Sequence, residues 1–210
     1  VEPMKLTCER DKLLGAFQTA ATVAPSRSPK PILQCVKLEV KGGVATLMAT
    51  DMEVGIRAVV TGIEVATPGV VVLPVGEFGN LLRESSDEKL AITVNDKETV
   101  VEGEHSKFQL ANADPEEFPD VAEFTASSYL EVSASVLKEL IRRTLFATDT
   151  ESSRYALGGV MLELKGDTLI AVGTDGRRLA KMEPPYARRA RRFAGDVRPP
   201  GRQLEAARGP

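Results

Sequence analysis

Asp51 and Glu53 stand two positions apart, and Asp175 closes a second stretch of closely similar sequence. Paired carboxylates can work as acid and base in a hydrolysis, so these three form a candidate catalytic set. The competing reading is that each Asp follows a strand and caps the backbone of a turn, a common use of Asp. His105 is the only histidine, which excludes a histidine-rich metal site, and its charged neighbours suit a solvated strand end. Cys8 and Cys35 fall in apolar or alternating stretches and read as buried thiols. The chain has no phosphate-cradling glycine loop, no Gly-x-Ser-x-Gly and no Cys-x-x-Cys. Basic residues carry more. Lys138 and Arg142 have helical i, i+4 spacing, and two like charges so placed destabilise a helix by roughly 0.2–0.5 kcal/mol unless an anion lies opposite. Glu139, Asp149 and Glu151 could supply it, or a bound polyanion could. Arg154-Tyr155 and Arg177-Arg178 add positive charge at the edges of the same unit.

The sequence around these residues is repeated. "VKLEVKGGVATLMATD" (36–51) and "VMLELKGDTLIAVGTD" (160–175) spell one strand, turn and strand at a spacing of 124 residues. Lys-Gly-Gly and Lys-Gly-Asp are tight-turn residues between alternating strands. The spacing also sets Leu13 over Leu137, Phe17 over Ile141 and Leu33 over Leu157. Each copy opens with a short strand, residues 5–8 and 129–132, that leads into a helix. The first helix starts near Glu9-Arg10-Asp11 with Leu13, Phe17 and Ala20 or Ala21 on one face. The second starts after Ser133, a candidate N-cap, with Val136, Leu137, Leu140, Ile141 and Leu145 as its apolar stripe.

The first copy continues through "VGIRAVVTGIEV" and "GVVVLPV", a short helix "EFGNLLRESS" with Phe78, Leu81 and Leu82 on one face, and a closing meander. That makes about eight strands and two helices for residues 4–112, an α+β unit with helices packed on antiparallel sheets. The proline-broken acidic stretch 113–128 reads as a connector. The domain boundaries expected are 4–125 for a complete first domain and 126–183 for the N-terminal half of a second. Residues 184–210 carry seven arginines and no lysine against Asp196 and Glu205. Without a period of 2 or 3.6, that tail is expected to be disordered or an out-of-frame product.

Hydrophobic residues at 42% and charged residues at 27% are ordinary for a soluble globular protein. No apolar run approaches the ~20 residues of a membrane span, and the first residues lack a secretory pattern. With two cysteines only, the cytoplasm is the compartment expected.

"MKLTCERDKLLGAFQ" (4–18), "FQLANADPEEFPD" (108–120) and "SRYALGGVMLELKGDTLIAVGTDGRRLAK" (153–181) resemble the beta subunit of bacterial DNA polymerase III, the replicative sliding clamp family. Pro31-Ile32-Leu33, Ala49-Thr50-Asp51-Met52-Glu53, Glu117-Phe118-Pro119 and Thr174-Asp175-Gly176-Arg177-Arg178-Leu179 make the resemblance specific. It implies a DNA clamp fold of three similar domains, two chains closing head to tail around duplex DNA, and an accessory subunit of the polymerase holoenzyme with neither a catalytic site nor a cofactor. The third domain is then absent here, and this chain alone is not expected to close a ring.

By the resemblance, Arg27, Arg154, Tyr155 and Arg178 are DNA contacts, beside Lys138 and Arg142 on the pore-side helix. Leu157, Thr174, Arg177 and Leu179 match part of the pocket that takes short hydrophobic peptides from polymerases and the clamp loader. Phe108 and Leu110 match the strand that pairs with another subunit. Diffuse phosphate contacts without base readout suit a ring that slides. Two other readings stay open, a non-encircling DNA-binding or protein-interaction module on the same fold and a hydrolase using Asp51, Glu53 and Asp175.

Overall fold

The computed structural model describes residues 3–95, 97–126, 128–149, 157–165, 168–183 and 191–194. The chain divides into two compact units, one running to Phe124 and another beginning at Thr125.

In the first unit, β1 (Met4–Glu9) runs directly into α1 (Arg10–Ala21), and a 3-10 turn at Pro31–Gln34 leads to β2 (Cys35–Lys41). There follow β3 (Val44–Thr50), β4 (Gly55–Val60), β5 (Ile63–Thr67), β6 (Gly69–Pro74), α2 (Val75–Glu84), β7 (Lys89–Val94), β8 (Glu98–Glu102) and β9 (Lys107–Ala111). Two antiparallel sheets result, in the orders β5-β1-β7-β8-β9 and β4-β3-β2-β6. The hairpin read from Lys-Gly-Gly forms as expected, with Lys41 opposite Val44.

Alternation explains the shared core. Leu6 and Cys8 of β1, Leu38 and Val40 of β2 and Leu90 and Ile92 of β7 are buried in one cluster with the helices. Leu13, Phe17 and Ala20 recur at helical spacing and form the buried face of α1. Phe17 meets Phe78 of α2 edge to face, with ring centroids 5.0 Å apart and planes at 65°, a favoured geometry for aromatic pairs. Burial of the Cys8 thiol pushes its pKa up to about 12, which makes it an inert packing group.

The connector is more than a linker. Phe118 is buried among Cys35, Met48 and Val72, and the Lys37 ammonium lies 5.9 Å from its ring centroid. Arg57 then donates to the Val121 carbonyl oxygen at 3.0 Å and pairs with Glu123 at 2.8 Å. An apolar anchor and a guanidinium thus strap residues 118–123 across the β4-β3-β2-β6 sheet.

In the second unit, β10 (Ser128–Glu131) precedes α3 (Ala134–Thr144), and β11 (Met161–Lys165), β12 (Thr168–Thr174) and β13 (Leu179–Met182) form an antiparallel sheet. β14 (Arg191–Ala194) pairs antiparallel with β10. These four residues lie within the stretch 184–210, for which the sequence led to an expectation of disorder. The ladder sets Ser128 opposite Ala194 and Glu131 opposite Arg191.

Two details of α3 also differ from the sequence reading. Ser133 sits at the N-cap with extended backbone, but its side chain makes no capping bond, and its hydroxyl instead meets that of Ser135 at 2.8 Å. The apolar stripe is only partly covered: Leu140 is fully buried against Leu169 and Ala171, whereas Ile141 is 38% and Leu145 48% exposed. Phe17, the counterpart of Ile141, is 1% exposed because α2 covers it. No second helix stands over Ile141 among the described residues.

Candidate functional site

The turn after β12 is built by Thr174 and Asp175. The Thr174 hydroxyl donates to the Arg178 carbonyl oxygen at 2.6 Å and accepts the Gly176 N–H at 3.1 Å. Asp175 Oδ1 accepts the N–H groups of Arg177 and Arg178, each at 2.9 Å. Gly176 has φ +86°, a left-handed conformation that suits glycine. The turn after β3 repeats the design. Thr50 Oγ1 donates to the Val54 carbonyl oxygen at 2.8 Å and accepts the Met52 N–H at 3.0 Å. Asp51 Oδ1 accepts from Val54 at 2.7 Å and Glu53 at 2.9 Å. Met52 adopts φ +81° here, a conformation costing a non-glycine residue on the order of 1–2 kcal/mol.

These bonds decide what the carboxylates can do. The Val54 and Glu53 N–H groups hold the Asp51 carboxyl below its ordinary range, and the Arg178 and Arg177 N–H groups do the same for Asp175. A carboxylate stabilised in its charged form by backbone donors is a poor proton acceptor. The two aspartates thus serve as turn acceptors, which removes the geometric support for a hydrolytic set with Glu53. Among the described residues there is no group of three or more His, Cys, Asp or Glu that could hold a metal ion. No helix among them is long and apolar enough to cross a membrane.

The turn places Thr174, Arg177, Arg178 and Leu179 at one end of the β11-β12-β13 sheet. Thr174 and Leu179 are register partners on β12 and β13, with Arg177 and Arg178 between them. Leu179 is 66% exposed, the most exposed large apolar side chain among the described residues. Arg178 Nε donates to Asp175 Oδ2 at 2.9 Å, which orients the guanidinium while leaving it largely in solvent. Leu157 is partly buried, and its carbonyl oxygen accepts the Asp149 N–H at 2.9 Å.

α3 supplies the basic face. Leu140 anchors the helix on the sheet, and Lys138, Arg142 and Arg143 are exposed. Glu139 binds Arg142 through two bonds, Nε to Oε2 at 3.0 Å and Nη2 to Oε1 at 2.9 Å, and also binds Arg143. Arg143 and Arg142 together hold the Glu139 carboxyl below its ordinary range. One acid thus relieves the like-charge crowding on this helix, and three cations against one anion leave the surface positive. Arg143 was not singled out in the sequence. Its last-turn position on a helix with Lys138 and Arg142 was the available signal. Arg27 is exposed on the loop after α1, while Arg154 and Tyr155 lie outside the described residues.

Among the described residues β9 ends its sheet and pairs with β8 alone. Phe108 and Leu110 are partly buried and pack inward on the core of the first unit, while Lys107, Gln109 and Ala111 are exposed. What β9 offers outward is accordingly its backbone edge.

Comparison with known proteins gives two adjacent family matches. The DNA polymerase III beta subunit N-terminal domain matches residues 4–122, and its central domain matches residues 131–205. The second match passes well beyond Glu183, where the sequence alone suggested a break. The beta sliding clamp of Pseudomonas aeruginosa is 34% identical over 178 residues, which are 84% of this chain and 48% of that protein. The beta sliding clamp of Chlamydia muridarum is 33% identical over 182 residues, covering 86% and 49%. A crystal structure of the DNA polymerase III subunit beta from P. aeruginosa superposes with a TM-score of 0.79 at 30% identity, covering 98% of this chain and 54% of that one. A P. aeruginosa sliding clamp bound to griselimycin superposes with a TM-score of 0.75 at 29% identity, covering 98% and 54%. The chain spans about half the length of the curated relatives it matches.

Proposed function

Because this chain belongs to the DNA polymerase III beta subunit family, we propose that it acts as part of a processivity factor, a sliding clamp that encircles duplex DNA and tethers the replicative polymerase. The observation that carries this reading is the repeated unit: Thr50-Asp51 and Thr174-Asp175 build the same turn at the same place in two consecutive units. A ring assembled from repeats needs such equivalence, and an enzyme active site does not.

The basic face of α3 supports the contact with DNA. Lys138, Arg142 and Arg143 would meet phosphates, joined by Arg27, Arg154, Tyr155 and Arg178. Cations that meet phosphates give attraction without base-edge recognition, so the ring holds the duplex and still moves along it. Ring closure, in place of tight binding, supplies persistence.

Leu157, Thr174, Arg177 and Leu179 are proposed as the part of a peptide pocket that receives short hydrophobic segments of polymerase and clamp-loader subunits. An exposed leucine beside a guanidinium suits an apolar side chain with a nearby acidic or carbonyl group. Griselimycin is proposed as a ligand of the same surface. β9, with Phe108 and Leu110 fixing it from behind, is proposed as the edge that pairs with a strand of another subunit.

Equilibrium binding of this chain to two duplexes of unrelated sequence tests the DNA reading. Equal affinities that fall together as salt rises are expected. A preference for one sequence by tenfold or more, about 1.4 kcal/mol, would point to a sequence-reading module instead.

A further inference from the structure

Asp87 lies on the loop between α2 and β7 and is 5% exposed. Its main chain is held from one side by Arg10, the first residue of α1. Arg10 Nε donates to the Asp87 carbonyl oxygen at 3.1 Å, and the Arg10 N–H donates to the Glu88 carbonyl oxygen at 2.9 Å. The carboxylate reaches the opposite way, to the turn joining β8 and β9. Oδ1 accepts the His105 N–H at 3.1 Å, and Oδ2 accepts the Ser106 hydroxyl, with the Ser85 hydroxyl at 3.4 Å. Gly103 opens this turn so close to the acid that a Cβ there would lie 1.9 Å from Asp87 Oδ2. Only glycine admits the carboxylate at that point.

A buried acid that accepts two donors from one turn holds that turn's conformation, since His105 N–H and the Ser106 hydroxyl both lose their partner if the turn moves. The turn leads straight into β9. Among the described residues β9 has β8 on one side and no strand on the other, so its first residues depend on the β8 ladder, the inward packing of Phe108, the exposed Lys107–Glu102 ion pair and this turn.

We propose that Asp87 is the positioning residue of the edge strand. It locks residues 103–106 and so presents Lys107–Ala111 extended and in register for a partner strand. The consequence for pairing rests on the ring reading above, whereas the control of β9 does not. The charged groups around Asp87 are Arg10, which also pairs with Asp11, and His105 on the turn.

Hydrogen exchange on the full chain tests the assignment, with Asp87→Ala, Asp87→Asn and Ser106→Ala compared with wild type. In Asp87→Ala the β9 amides bonded to β8 should exchange faster by about tenfold, the worth of one hydrogen bond to a charged group. The Leu90 and Ile92 amides of β7 should keep their protection. Asp87→Asn, still able to accept from His105, should recover part of the loss. Ser106→Ala should show a smaller change at the same amides, and it serves if Asp87→Ala does not fold. Wild-type β9 protection, normalised to intrinsic rates, should fall as acid protonates Asp87, with no such step in Asp87→Asn. Unchanged β9 exchange in both folded variants, or equal loss across β7 and β9, would overturn the assignment. The C-terminal domain of the P. aeruginosa clamp serves as a separate binding probe. If wild type fails to capture it, the proposed pairing of β9 fails, while the exchange result still decides the role of Asp87.

Discussion

Thr50 and Thr174 stand 124 positions apart and close the same turn, each hydroxyl donating to the carbonyl oxygen four residues on and accepting the N–H two residues on. The aspartate that follows each threonine accepts two further backbone N–H groups. Identical bonding in two units means that the turn is a part of the repeat. What differs is its cargo: Glu53 and Val54 in one copy, Arg177 and Arg178 in the other.

Acid should weaken both turns. Backbone donors depress the Asp51 and Asp175 carboxyls below their ordinary value of 3.8. A depressed folded pKa gives stabilisation that is complete above the unfolded value and lost as pH falls through the folded one. Melting temperature measured against pH should therefore decline below about pH 4. An Asp51→Asn, Asp175→Asn double variant should show a shallower decline, and an identical decline would refute these turns as its source.

Equivalent positions of the repeat should differ in cost. Phe17→Ala removes a fully buried ring packed on Phe78 and should destabilise the first unit by about 3–5 kcal/mol. Ile141→Ala, at the matching position, should cost the second unit much less because Ile141 is 38% exposed. Urea unfolding of the two variants checks the contrast.

Sequence alone delivered the strand pairs β2–β3 and β11–β12, because two alternating strands separated by so few residues have little choice of pairing. It also delivered the burial of Leu13, Phe17 and Phe78, which follows from helical spacing. The connector was harder. Phe118 and Arg57 are 61 positions apart in sequence, and nothing local reveals that both help dock one segment on one sheet. β14 falls in the stretch 184–210, for which composition led to an expectation of disorder, and its partner β10 is distant in sequence. The role of Asp87 was invisible for a related reason: its partners at 105 and 106 come from another hairpin. Of the site, the turn residues Thr174 to Leu179 were legible as a motif. The exposure of Leu179 and the sharing of Glu139 by two arginines required coordinates.

Charge changes on α3 should act through phosphates. Lys138→Ala, Arg142→Ala and Arg143→Ala should each weaken duplex binding equally for any sequence. Each should reduce the slope of log K against log salt by about 0.9 per lost contact. Glu139→Gln should strengthen binding, since it frees two guanidinium groups. Titrations over a salt series give both numbers.

Leu179→Asp should weaken the proposed binding at the sheet end without unfolding the chain, because that side chain is already 66% exposed. Griselimycin affinity, read by calorimetry, should drop at least about thirtyfold, as for an anchor worth about 2 kcal/mol. The melting temperature should stay near wild type. Unchanged affinity would move the peptide site elsewhere.

The most direct measurement is topological. Residues 4–183 would replace the matching portion of the P. aeruginosa beta sliding clamp, and the chimera would be loaded on a nicked circular plasmid. Retention through a high-salt wash, followed by release when the plasmid is linearised, is the result expected of a clamp. Equal dissociation from circular and linear DNA would contradict it.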